Sequence, residues 1–163
     1  NRRIMMHNWF TCKIRYEKTM GNGMQKKVTE PYLVDALSFT EAESRIIEEM
    51  TPFISGEFEV AGVAKANYNE LFSSEEESAC IWYKCKLWFI TLDEKTGAEK
   101  RTASNVLVQA SDLRDAIKKL DEGMKDTLAD YVIASVQETS IMDVYPYKAE
   151  PDVKPEFENA DRR

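Results

Sequence analysis

One stretch constrains this chain more than any other, because it occurs twice. Trp82-Tyr83-Lys84-Cys85-Lys86-Leu87-Trp88-Phe89 has a counterpart 73 residues earlier in Trp9-Phe10-Thr11-Cys12-Lys13-Ile14-Arg15-Tyr16, with Trp, Cys and Lys at the same places. Period-2 alternation marks each copy as a β-strand with one face on a core. In the first copy Phe10, Cys12, Ile14 and Tyr16 share one side, and Trp9, Thr11, Lys13 and Arg15 the other. In the second copy Tyr83, Cys85, Leu87 and Phe89 oppose Trp82, Lys84, Lys86 and Trp88. A matching pair of strands at this spacing predicts two copies of one structural unit.

The flanking sequence extends the pairing. Gly21-Asn22-Gly23 and Glu94-Lys95-Thr96-Gly97 are turn signals, each followed by a second strand, near residues 26–36 and 99–109. Ser38-Phe39-Thr40-Glu41 is a capping box, and Asp112 stands at the matching cap position. Apolar residues then recur at helical spacing, Phe39, Ala42, Ile46, Ile47 and Met50 in one half and Leu113, Ala116, Ile117, Leu120 and Met124 in the other. Third strands are expected near residues 57–68 and 130–143. The chain is thus predicted as a tandem ββαβ duplication of α+β class. It has a mainly antiparallel sheet, two amphipathic helices on one face and a pseudo-two-fold; a split into two sheets is the alternative. The predicted parts are an N-terminal extension (1–7), a first repeat (8–72), an acidic linker (73–79), a second repeat (80–145) and an acidic, proline-containing tail (146–163). The two repeats are expected to form one domain.

Charge decides which functions fit. Among 163 residues, 29 acids against 22 bases give a net charge of −7, which argues against non-specific coating of duplex DNA. No apolar run reaches the ~18 residues of a membrane span, and no apolar run follows the basic start as a secretion signal requires. Three cysteines without such a signal point to a reducing cytoplasm. Cys12 and Cys85 occupy matching core positions, and their spacing with Cys80 and His7 is not that of a zinc site. No cofactor or metal is expected. His7 stands in no nucleophile motif and Glu75-Glu76-Glu77 reads as a solvated loop, so the chain is expected not to be an enzyme.

The outward faces of the twin strands carry the candidate site. Trp9, Lys13, Arg15, Trp82, Lys84, Lys86 and Trp88 combine three indoles with four bases and no acid. Rings stack on bases and cations follow phosphates, so such a face suits single-stranded nucleic acid. A protein partner, a second copy or the other half of the chain would cover the same face equally well. The leading expectation is a small binding protein that uses this face. The alternative is an acidic interaction or phage inhibitor protein acting through its helices and tail.

The run from Asn8-Trp9-Phe10-Thr11-Cys12-Lys13 through Tyr32-Leu33-Val34-Asp35-Ala36-Leu37-Ser38-Phe39-Thr40-Glu41-Ala42-Glu43 resembles an uncharacterised family of Bacteroidales and their phages, one of the domains of unknown function. The resemblance spans about residues 6–150. It implies a bacterial or phage cytosolic setting and brings no activity or site residues with it.

Overall fold

The structure is a computed structural model that describes residues 2–4 and 8–147, the first three by backbone alone. Among the described residues, nine strands and two helices follow in the order β1 (Arg2–Ile4), β2 (Trp9–Thr19), β3 (Gln25–Asp35), α1 (Phe39–Met50), β4 (Phe58–Ala66), β5 (Glu70–Ser73), β6 (Ile81–Leu92), β7 (Glu99–Ala110), α2 (Leu113–Met124), β8 (Asp130–Glu138) and β9 (Val144–Tyr145). The class is α+β with mainly antiparallel pairing, as predicted. The strands divide into two sheets rather than one. The first has the order β4-β2-β3-β9 and the second β1-β5-β7-β6-β8. His7 and the tail beyond Tyr147 lie outside the described residues.

Each half builds its sheet the same way. Positive-φ glycines, Gly23 and Gly97, turn the two hairpins. Cys12 pairs with Tyr32 and Val63, and Cys85 with Val106 and Val136, in matching ladders. A bulge interrupts both edge ladders at one equivalent point, between Lys13 and Ile14 and between Lys86 and Leu87. Both caps form. Ser38 Oγ accepts from Glu41 N at 3.1 Å, and Asp112 Oδ1 from Asp115 N at 2.8 Å. Reciprocally, the Glu41 carboxylate accepts from Leu37 N, and Asp115 Oδ2 accepts from Ser111 N at 2.9 Å. Helix α1 then buries Ala42, Ile46 and Met50 against Phe10, Cys12, Ile14 and Val34. Helix α2 lays Leu120 and Met124 on Cys85, Leu87, Val106 and Val108.

The halves differ from two independent units in where they end. After β4, the chain crosses from the first sheet to the second, where β5 pairs parallel with β7 through Leu71↔Leu107. After β8 it crosses back, and β9 pairs parallel with β3 through Leu33↔Val144. Each half therefore completes the other's sheet. Asn69 N donates to Asn105 O at 2.7 Å on entry to β5, and Met142 N donates to Pro31 O at 2.9 Å on entry to β9. A helix residue secures each exchanged end. Lys119 Nζ donates to Ser74 Oγ (3.1 Å) and Glu76 Oε1 (2.9 Å), while Arg45 donates to the carbonyl of Pro146 at 3.2 Å and lies 5.4 Å over the Tyr147 ring. Residues 74–76, read from sequence as a solvated linker, are thus docked on α2.

The outer edges of the exchanged strands are not alike. In the second sheet β1 pairs with β5. The residues at the matching place in the other half, 75–77, lie in the short link between β5 and β6, both in the second sheet, and cannot reach β9. The β9 edge is blunted instead. Val144 N is capped by Asp143 Oδ1 at 2.8 Å, and Pro146 has no N–H to offer.

Two outcomes follow. A Cβ on Gly123 would stand 2.8 Å from three ring atoms of Phe72, the exchanged residue that α2 covers. Gly123→Ala is therefore expected to destabilise by about 1–3 kcal/mol through overpacking, despite alanine's better helix propensity. Urea unfolding measures this, and adding Phe72→Leu should recover part of the loss. The second outcome concerns Asp115, whose carboxyl is held below the ordinary carboxylate range by Ser111 N–H and then by Lys119. A lowered folded-state pKa gives stability that is complete above the unfolded value and is lost as pH falls through the folded one. Asp115→Asn should melt lower than wild type at neutral pH, and the deficit should shrink as thermal melts are taken down to about pH 2.

Candidate functional site

The seven residues expected to share one recognition face are divided by the packing of the two sheets. Trp9 and Trp82 are 2% and 3% exposed. They meet in a third core with Leu33, Leu71, Leu107 and Val144, all buried, on the side of each sheet away from its helix. Four of these residues come from twin positions in β2, β6, β3 and β7; Leu71 and Val144 come from the exchanged strands. This corrects the expectation for Trp9 and Trp82. Their ring faces are covered by the other half of the chain and are closed to a stacking base.

Beyond that core the same faces open to solvent. Lys13, Arg15 and Lys84 are exposed, and Lys86 and Trp88 are half-buried. In the first sheet Arg15 Nη1 reaches Glu59 Oε2 at 2.9 Å, across a ladder that also sets Thr29 opposite Arg15. In the second sheet the matching triplet is Val132–Trp88–Ala103. The two positions share register, yet one carries an ion pair and the other carries apolar side chains. Further along β6, Ile90 and Leu92 stand where β2 has Glu17 and Thr19. Trp88, Ile90, Leu92 and Val132 form an apolar strip in which Leu92 is 68% and Val132 42% exposed. Bases surround it. Lys86 Nζ lies 4.7 Å over the Trp88 ring, Lys84 is exposed, and Arg101 is opposite Ile90, paired with Glu99 at 3.2 Å.

The first half shows that the fold does not need apolar residues here. Charged and polar residues serve equally well in the same backbone. The partly exposed aromatic and aliphatic strip is therefore a feature of the second half alone. Sequence reading named Trp88, Lys84 and Lys86 on this face but not Ile90, Leu92 and Val132. Comparing the two copies position by position beyond the eight-residue match carries that signal.

The cysteines take no part in this surface. Cys12 and Cys85 are buried in the two helix-covered cores. Burial, with Glu43 adding to it, pushes the Cys12 thiol up to about 11, and burial pushes Cys85 up to about 12, so both stay protonated at neutral pH. Cys80 is exposed and donates to the Glu77 carbonyl at 3.3 Å. Among the described residues, no helix is long and apolar enough to cross a membrane.

Residues 8–147 match the family described as Domain of unknown function (DUF4494). The chain belongs to that family. The match covers both halves with their exchanged strands. No curated protein and no solved structure matches.

The different surroundings of the indoles give a direct expectation. Trp9→Ala and Trp82→Ala should each cost about 3–5 kcal/mol in urea unfolding. Trp88→Arg with Val132→Glu copies the ion pair of the first half, and should leave stability within about 1 kcal/mol of wild type.

Proposed function

We propose that this DUF4494 chain is a non-catalytic binding protein whose contact face is the open part of the second sheet, centred on Trp88, and that it takes a protein surface there. The carrying observation is the substitution of the Arg15–Glu59–Thr29 triplet by Trp88–Val132–Ala103 in an equivalent backbone. A half-buried Trp flanked by Val, Ile and Leu, with Lys84, Lys86, Arg101, Glu99 and Asp130 on its rim, has the composition of a protein-interface centre. Single-stranded nucleic acid is the second reading, favoured by Lys86 over the Trp88 ring. The burial of Trp9 and Trp82 leaves it one indole in place of three, and the aliphatic neighbours offer bases no stacking surface. The same reading places the chain in a bacterial or phage cytoplasm, in keeping with its three unpaired thiols.

A photo-crosslinking residue at position 92 tests this in native cells, with position 19, its counterpart in the first half, as the matched control. The expected result is a nuclease-resistant, protease-sensitive adduct from 92 and none from 19. A nuclease-sensitive adduct, or equal labelling at both positions, overturns the reading.

A further inference from the structure

We infer that the protein received beside Trp88 binds as an extended strand, added to the free edge of β8; this rests on the contact face proposed above. Among the described residues, β8 ends the second sheet and pairs with β6 alone. Alternate residues of such a strand turn backbone N–H and C=O groups outward, and another extended backbone matches that row. The other sheet edges are less open. β1 has three residues, and β9 has two, closed by Asp143 and Pro146. β4 is as long as β8, nine residues each, and both carry a bulge, with Ala61 and Ala134 as the extra residues. The difference between them lies in the side chains. Over the matching stretches 58–64 and 131–137, β4 has Glu59 and Gly62 where β8 has Val132 and Ser135. Residues 131–137 hold no charge, glycine or proline, so nothing in them resists a further strand. The bulge breaks the outward row at Ala134 and leaves 131–133 and 135–137 for pairing.

The surroundings of this edge state what the added strand carries. On the open side Val132 is 42% exposed, and half-buried Trp88 stands beside it on β6. On the helix side Tyr131 and Ile133 are half-buried, and Tyr131 Oη donates to Asp121 Oδ1 at 3.1 Å, which sets that flank of α2 against β8. Ile117 and Leu113 stand one and two turns before Asp121 on the same flank, 37% and 49% exposed. An added strand therefore meets apolar side chains on both faces. Strands covered on both faces read as short uninterrupted apolar runs, and the partner segment is of that kind. The chain's own β8 fits this place badly. Laid antiparallel along its full length on a second copy, it sets Asp130 opposite Glu138 at both ends, and like charges directly opposite destabilise. The occupant is an apolar, extended segment of another protein.

A photo-crosslinking residue at position 134 in native cells, with position 61 as the matched control, finds the segment. Mass spectrometry of the adduct then gives its sequence, and a synthetic peptide of that sequence is added to the purified chain. An adduct is expected from 134 and none from 61. With the peptide at about ten times its Kd, alternate amides within 131–137 should exchange hydrogen about tenfold more slowly, with 58–64 unchanged. Ala134→Lys should remove this slowing and Ala61→Lys should keep it, both with native circular dichroism, since both side chains are exposed. A peptide that binds without slowing 131–137 overturns the inference. So do equal adducts from 134 and 61, or an adduct that joins 134 to a second copy of this chain. An adduct from 92 with none from 134 refutes strand addition and leaves the contact face standing; absence of both refutes both.

Discussion

The parallel pairing of β5 with β7 and of β9 with β3 is the interaction on which the rest of this molecule depends. Neither three-stranded antiparallel unit, with its one helix, covers the second face of its sheet. Exchanging the last strand brings those faces together at one end and closes Trp9, Trp82, Leu33, Leu107, Leu71 and Val144 into a core that neither half has alone. The shared core thus lies between the two sheets, apart from the two helix-covered cores. Lys119 and Arg45 hold the exchanged ends from equivalent helix positions by different chemistry. In the first case burial alone would lower the ammonium's pKa, but Glu76 and Asp115 more than offset this and raise it. In the second a guanidinium is shared between carbonyls and a tyrosine ring.

The exchange also decides where a surface is left over. It consumes the Trp9 and Trp82 ends of the open faces and leaves the hairpin ends free. In the first half the free end is finished with an ion pair and hydroxyls, as an ordinary solvated sheet would be. In the second it is finished with half-buried Trp88 and Ile90 and exposed Val132 and Leu92, an apolar finish that folding does not require. Such an asymmetry between equivalent positions is a stronger sign of function than an exposed apolar residue by itself, because the other half supplies the control.

The α+β class, the hairpins, both caps and both helices were legible in the sequence because they rest on local rules. Alternation, turn glycines and Ser38 or Asp112 three residues before a carboxylate act within a few residues of chain. The side of Cys12 and Cys85 was legible for the same reason. The exchanged strands were not, since Glu70–Ser73 and Val144–Tyr145 are too short to show a period, and their pairing is with residues about 35 and 110 positions away.

Sequence by itself determined which residues face a helix and which face away, because side-chain direction alternates along a strand whatever lies opposite. It could not determine what lies opposite the second face. Trp9, Trp82 and Trp88 share one pattern, and only the tertiary structure separates two core residues from one surface residue. The reason is physical. Burial of an outward side chain depends on which distant segment crosses above it, and here that is set by the crossings at Asn67–Asn69 and 139–143, where the chain passes from one sheet to the other.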